Sequence, residues 1–180
     1  MAFTKEQIRD TYPLPVYNYK VTVLKYDYAG TVGIDQKVEP DTGAPTISFA
    51  EVSGLSVEYE PVVYKHGFSF AMGYEIIDGQ KKPIHLTMKR GVYKGQSDLY
   101  DWFMKGRTTE TLVNVFFGRN KRDILIDLCD KDGKAVVRWT VTGALPVKLT
   151  APTFNTQANA VAIETLELIA QDLKVNYHLG

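Results

Sequence analysis

From Asp123 to Val175 the chain places apolar side chains at alternate positions, broken by short polar turns. Ile124, Ile126 and Leu128 alternate with Leu125, Asp127 and Cys129, and Asp130-Lys131-Asp132-Gly133 interrupts the series. Ala135, Val137, Trp139 and Val141 then resume it, opposite Val136, Arg138 and Thr140. Period-two alternation around an Asp-Gly turn predicts a β-hairpin, because glycine supplies the positive φ that the turn requires. Pro146, within Gly143 to Lys148, predicts the end of that ladder, since proline brings no N–H to a central strand. The stretch Ala158 to Ala170 fits two templates. Val161 to Ile163 and Leu166 to Leu168 alternate as a bulged strand would, while Ala158, Ala162, Leu166 and Ile169 form a helical stripe.

Upstream, Tyr17, Tyr19, Val21 and Val23 alternate with Asn18, Lys20 and Thr22 and predict another strand. Ile47 to Val52, Leu55 to Glu60 and Thr111 to Phe117 read the same way, and Tyr74 to Ile77, Asp78 to Lys82 and Ile84 to Met88 read as strand, turn, strand. Pro61 to Gly73 is rich in aromatic residues and glycine but has no period. Ser97 to Lys105 predicts the single good helix. Leu99, Trp102 and Phe103 fall at i, i+3 and i+4, with Ser97 to cap and Gly106 to stop it. The fold class is therefore mainly β with one short flanking α-helix, about 97–105. Residues 1–15 read as an arm, ending in the extended Tyr12-Pro13-Leu14-Pro15, and 27–45 as a long loop punctuated by Gly30, Gly33, Pro40 and Gly43.

Length and charge narrow the function. At 180 residues the chain reads as a single domain, 1–180, with room for a sizeable core. Its 21 Lys and Arg balance 21 Asp and Glu, so bulk charge points neither to nucleic acid nor to an anionic membrane and leaves self-association unopposed. Cys129 stands alone within an apolar strand and reads as a small buried hydrophobe. Met1 to Gln7 has no signal-peptide core and no segment reaches transmembrane length. The expectation is synthesis and assembly in the cytoplasm, without stable membrane insertion.

Catalytic chemistry is hard to find in the sequence. Neither familiar phosphate loop occurs, and Gly67-Phe68-Ser69-Phe70-Ala71 echoes a nucleophile elbow without its second glycine. His66, His85 and His178 are scattered, and Asp127, Asp130 and Asp132 lack the spacing and closing glutamate of a calcium loop. No cofactor, metal or enzymatic activity is expected. The basic runs Met88-Lys89-Arg90-Gly91 and Arg119-Asn120-Lys121-Arg122 are either solvated turns or salt-bridge donors to an acidic patch on a partner. Trp102 and Trp139 lie at apolar-periodic positions and read as core; a stand-alone β-sandwich stacking them on a sugar is the alternative of a different class.

The order of short motifs says more than any one of them. Ile47-Ser48-Phe49-Ala50-Glu51-Val52-Ser53-Gly54-Leu55 leads to Glu58-Tyr59-Glu60 and Tyr64-Lys65-His66-Gly67. Leu86-Thr87-Met88-Lys89-Arg90-Gly91, the Leu99–Trp102 helix and Arg122 to Asp132 follow. Arg138-Trp139, Ala144-Leu145-Pro146-Val147-Lys148 and Ala162 to Leu168 complete the series. Over roughly Tyr17 to Val175 this resembles the tail tube family of contractile phages, especially the inner-tube proteins of extracellular contractile injection systems.

The resemblance implies a tail-tube-type β-barrel or sandwich, related to the type VI secretion tube protein. It implies Val161 to Leu168 as a strand. It also implies that the function is structural: hexameric rings stack into a rigid conduit within a contractile sheath, found in a phage tail or a released extracellular particle. The implied partners are other copies of the chain, the sheath, baseplate and spike proteins, and cargo in the lumen, with no sequence recognition of nucleic acid. A minor subunit that initiates the tube at the baseplate is the near alternative. By family position, Tyr64, Gly67, Lys89, Arg90 and Gly91 are the subunit-interface candidates.

Overall fold

Residues 13–24, 46–68, 73–105 and 120–177 are described by the computed structural model. The expectations for the arm before residue 13, the loop at 27–45, Ser69, the helix stop at Gly106, the strand at 111–117, Arg119 and His178 lie outside the described residues.

Among the described residues, ten strands and one helix follow in chain order: β1 (Tyr19–Leu24), β2 (Thr46–Ile47), β3 (Glu51–Ser53), β4 (Tyr59–Lys65), β5 (Tyr74–Lys81), β6 (Ile84–Gly91), α1 (Asp98–Lys105), β7 (Arg122–Cys129), β8 (Ala135–Thr150), β9 (Ile163–Ala170) and β10 (Asp172–Asn176). Eight of the strands form one antiparallel sheet in the order β2-β1-β7-β8-β9-β6-β3, with β10 also on β8. Among the described residues the path is open, since no ladder joins β2 to β3. Its two ends are nevertheless neighbours in sequence, separated only by Ser48, Phe49 and Ala50. Chain connectivity, rather than hydrogen bonding between strands, brings the first edge back toward the last.

The predicted hairpin is β7–β8. Gly133 takes φ +76 and its N–H donates 2.8 Å to the Asp130 carbonyl, the turn that the Asp-Gly pattern requires. Asp127 pairs with Arg138 in register, and two hydrogen bonds of 2.6 and 2.8 Å tie the guanidinium to the carboxylate. Pro146 does not end the ladder as expected. Instead β8 runs on to Thr150, and Pro146 sits opposite Leu168 where the register with β9 shifts. A bulge tolerates the missing N–H that a regular central ladder would not.

The bend that makes this possible lies at Gly143, with φ +66, where β8 leaves β7 and β10 and turns along β9. A bent strand shared by two half-sheets lets the sheet fold over itself. Val21, Val23, Ile124, Ile126 and Val141 of one half then meet Ile84, Leu86, Met88, Leu166 and Leu168 of the other. α1 seals the core with Leu99 and Trp102, both 1% exposed. The Trp102 Nε1–H donates 3.0 Å to the Asn120 carbonyl, and Arg122 lies 4.6 Å over its ring. Burial pushes the Arg122 guanidinium down to about 10, with Asp98 acting the other way. Ser97 precedes the helix as expected, its hydroxyl bonded to the Asp101 carboxylate at 2.7 Å.

Ile163–Ala170 is a strand, as the resemblance implied. Leu166, Leu168 and Ala170 are buried and Glu164 shares their parity, so the inward positions recur every second residue. Pairing on both edges, to β6 and β8, overrides the helix propensity of the segment.

Candidate assembly surface

Among the described residues, the remaining two strands pair only with each other, as the β4–β5 ribbon. This corrects two sequence expectations. The aperiodic stretch after Glu60 contributes most of strand β4, and the predicted turn at Asp78 to Lys82 falls largely inside β5. Gly79 explains the second. A Cβ there would stand 1.4 Å from the Glu60 carbonyl oxygen, beside the bulge between Glu60 and Val62 that accommodates Pro61. The glycine marks a close approach of two backbones within the ribbon, not a reversal of the chain.

At its base the ribbon is tied to the body. The Lys82 N–H donates 2.9 Å to the Glu58 carbonyl, and the Lys81 ammonium bonds the Asp172 carboxylate, holding that carboxyl below the usual range. Beyond the base, both faces are exposed and apolar. Register puts Val63, Lys65, Tyr74 and Ile76 on one face and Val62, Tyr64, Glu75 and Ile77 on the other. Val63 is 53% exposed and Ile76 63%; Val62 is 55% and Ile77 48%. His66 follows the second face, edge-on to Tyr64 at 4.7 Å and 3.9 Å from Glu75. A two-stranded ribbon is marginal alone in water, and apolar side chains on both faces call for cover on both.

A second apolar feature is the uncovered end of the core. Tyr19 of β1 pairs with Leu128 of β7, and Trp139 of β8 pairs with Ile126 two residues along β7. With Val16, Val52 and Leu55 they line a groove of about 460 Å³, and Glu51 is its single charged lining residue among the described residues. The Tyr19 hydroxyl donates 2.7 Å to the Phe49 carbonyl; burial, with Glu51 adding to it, raises its pKa.

The five interface candidates fall in two places. Tyr64 lies in the ribbon and Gly67 just past the end of β4, where a Cβ would meet nothing within 4 Å. Lys89, Arg90 and Gly91 instead end β6, inside the main sheet rather than in a turn. Lys89 bonds Glu51 at 2.8 Å across to β3. Arg90 is 2% exposed and its Nε and Nη2 converge on one oxygen of Glu164, at 3.1 and 2.8 Å. That guanidinium is committed within the subunit. The ribbon's extent and the groove are what sequence reading missed: the aromatic Pro61–Gly73 stretch hinted at the first, while the groove joins residues from four separate segments.

Neither tryptophan offers an open stacking platform: Trp102 is buried and Trp139 is half-buried in the groove wall. Among the described residues no group of three or more His, Cys, Asp or Glu side chains could hold a metal ion, and no helix is long and apolar enough to cross a membrane. A folded β body that, among the described residues, leaves an apolar ribbon and an apolar groove exposed has the form of a protein built to be completed by others.

Comparison with known proteins gives that class its family. The model of the T4-like virus tail tube protein gp19 matches residues 17–174, and the chain belongs to this family of tail tube proteins. Among solved structures it resembles a chain of the PVC extracellular contractile injection system sheath–tube complex in its extended state, at 26% identity and a TM-score of 0.74. That match covers 98% of this chain and 99% of the other. It also resembles the PVC sheath/tube terminator, at 27% identity and TM-score 0.70 over 92% and 97% of the two chains. The tube-terminating cap of the anti-feeding prophage shares the fold, at 24% identity and TM-score 0.69 over 93% of each. No curated protein sequence matches the chain.

Proposed function

We propose that this chain is the inner-tube subunit of a contractile injection particle or phage tail, in which six copies form a ring and rings stack into a stiff conduit. The observation that carries the reading is end-to-end likeness to a sheath–tube complex chain, with 98% of one covered by 99% of the other. The role is structural rather than enzymatic.

The physical chemistry supports it. The exposed ribbon and the groove lie at different places on one subunit, so contacts between copies are heterologous, and such contacts close into rings or propagate into tubes. Edges at β2, β3 and β10 that are unpaired among the described residues supply further pairing sites, which assembly would satisfy. The sheath surrounds the tube, baseplate and spike proteins meet its tip, and cargo travels in its bore, within a particle assembled in the cytoplasm and then released or attached to a phage. The alternative, a specialised subunit at one end of the tube, is favoured by the comparable identity to the terminator.

Electron microscopy of the purified full-length chain is expected to show hexameric rings or tubes. A protein that stays monomeric across concentration and salt, and is missing from isolated particles, overturns the reading. Copy number in intact particles separates the two versions, since an end ring needs far fewer copies than a tube.

A further inference from the structure

The β4–β5 ribbon stands clear of the body along most of its length. Among the described residues no ladder joins either strand to the main sheet, all seven residues of β4 are exposed, and in β5 only Gly79 and Lys81 are not. The chain enters at Gly54, backed so closely onto β6 that a Cβ would stand 2.0 Å from the His85 carbonyl oxygen. The Ser56 N–H donates 2.8 Å to the Gly54 carbonyl in a tight turn away from β6, and the chain returns to β6 through Lys82 and Pro83. The 2.9 Å bond from the Lys82 N–H to the Glu58 carbonyl closes the base of the ribbon without reaching the main sheet. Two crossings a few residues long, with no ladder beside them, are the anatomy of a hinge.

A side-chain tie crosses that hinge. The Lys81 ammonium bonds the carboxylate of Asp172, the first residue of β10. The same carboxylate oxygen accepts 2.9 Å from the Leu173 N–H, so its own strand holds it in position. The two side chains are 29% and 36% exposed, which makes the tie weak and open to replacement by a competing contact. We infer that the β4–β5 ribbon is a hinged arm, and that the Lys81–Asp172 pair is the latch that fixes its angle on the body until a neighbouring copy engages it. Hinge and latch belong to the single chain, while the neighbouring copy rests on the tube reading. A latched ribbon meets its partner already oriented, so less ordering is left to be supplied at contact.

Spin labels on Ile76→Cys in the ribbon and Thr150→Cys on β8 test this in the full-length chain, kept below the concentration at which it assembles. Both sites are exposed, and Cys129, at 1% exposure, is closed to the label. The otherwise wild-type protein is expected to give one narrow distance distribution, and Lys81→Gln or Asp172→Asn a broad one. Asp172→Asn keeps an acceptor for the Leu173 N–H, so it removes the charge alone. The swap of Lys81→Asp with Asp172→Lys should narrow the distribution again. Lys81→Gln should also raise the concentration needed for assembly several-fold. Equal distributions in every background, or a swap as broad as the single changes, overturn the latch. A broadened ribbon with an unchanged assembly threshold overturns its part in assembly and leaves the tube reading standing. If the wild-type chain does not assemble at all, the tube reading falls, and the distance measurement still decides hinge and latch.

Discussion

The hydroxyl of Tyr19 on β1 donates to the carbonyl of Phe49, in the three-residue link between β2 and β3, at 2.7 Å. This bond fastens one end of the open sheet path to the segment leading to the other, where no ladder does so. Burial first, and Glu51 second, raise the Tyr19 pKa above 10.0. A raised folded-state value means the protonated form is favoured by folding. The contribution is complete below pH ~10 and is lost as pH rises through the folded value. Urea midpoints measured against pH should therefore fall more steeply in alkali for the wild type than for Tyr19→Phe. Parallel curves would show that the bond contributes nothing pH-dependent.

Arg90 and Glu164 form the second internal tie, directly opposite each other on β6 and β9 and sharing the parity of the core residues. Replacing Arg90 by Met strands a carboxylate that is only 17% exposed, at a cost of about 3–5 kcal/mol. The double change Arg90→Met with Glu164→Leu should cost much less than the sum of the single changes. Equilibrium denaturation of the four proteins gives the coupling, and additive losses would disprove it.

At the bend of β8, the buried Asp123 carboxylate accepts a 2.8 Å bond from the Gly143 N–H. Gly143→Ala should destabilise by about 1–2 kcal/mol for the left-handed backbone alone. A Cβ would also crowd the Gln171 amide oxygen at 2.5 Å. Asp123→Leu should cost about 1–3 kcal/mol through the unsatisfied N–H, while Asp123→Asn, which keeps an acceptor, should cost less. Thermal unfolding of the three variants ranks them.

Gly79 should separate folding from assembly. Alanine there cannot coexist with the Glu60 carbonyl 1.4 Å away, so the ribbon must shift its register. The ribbon lies outside the core cluster, and the unfolding free energy of the main sheet should change by no more than about 0.5 kcal/mol. Sedimentation should show loss of higher assemblies. Normal assembly by Gly79→Ala would remove the ribbon from the interface.

Legibility followed the range of the signal. The β7–β8 hairpin could be read because alternation and an Asp-Gly turn are local. So could α1, whose Leu99 and Trp102 lie on one helical stripe. Pro146 misled because whether a proline ends a strand depends on the partner strand, and here β9 shifts register beside it. Asp78-Gly79 misled for the same reason, since Glu60 approaches from another segment. Of the interface candidates, Tyr64 lies in the exposed ribbon and Gly67 just past it, but nothing local distinguishes Lys89, paired outward with Glu51, from Arg90, committed inward to Glu164.

By itself, then, the sequence determined the β character, the helix around Leu99 and Trp102 and the family-like order of motifs, all of which depend on neighbours along the chain. Tertiary structure alone decided where β8 bends, that the two ends of the described sheet path lie three residues apart, and that the ribbon and the groove are exposed among the described residues. These depend on which strands meet and what each leaves exposed. Pairing energy between distant segments sets both, and no local pattern records it.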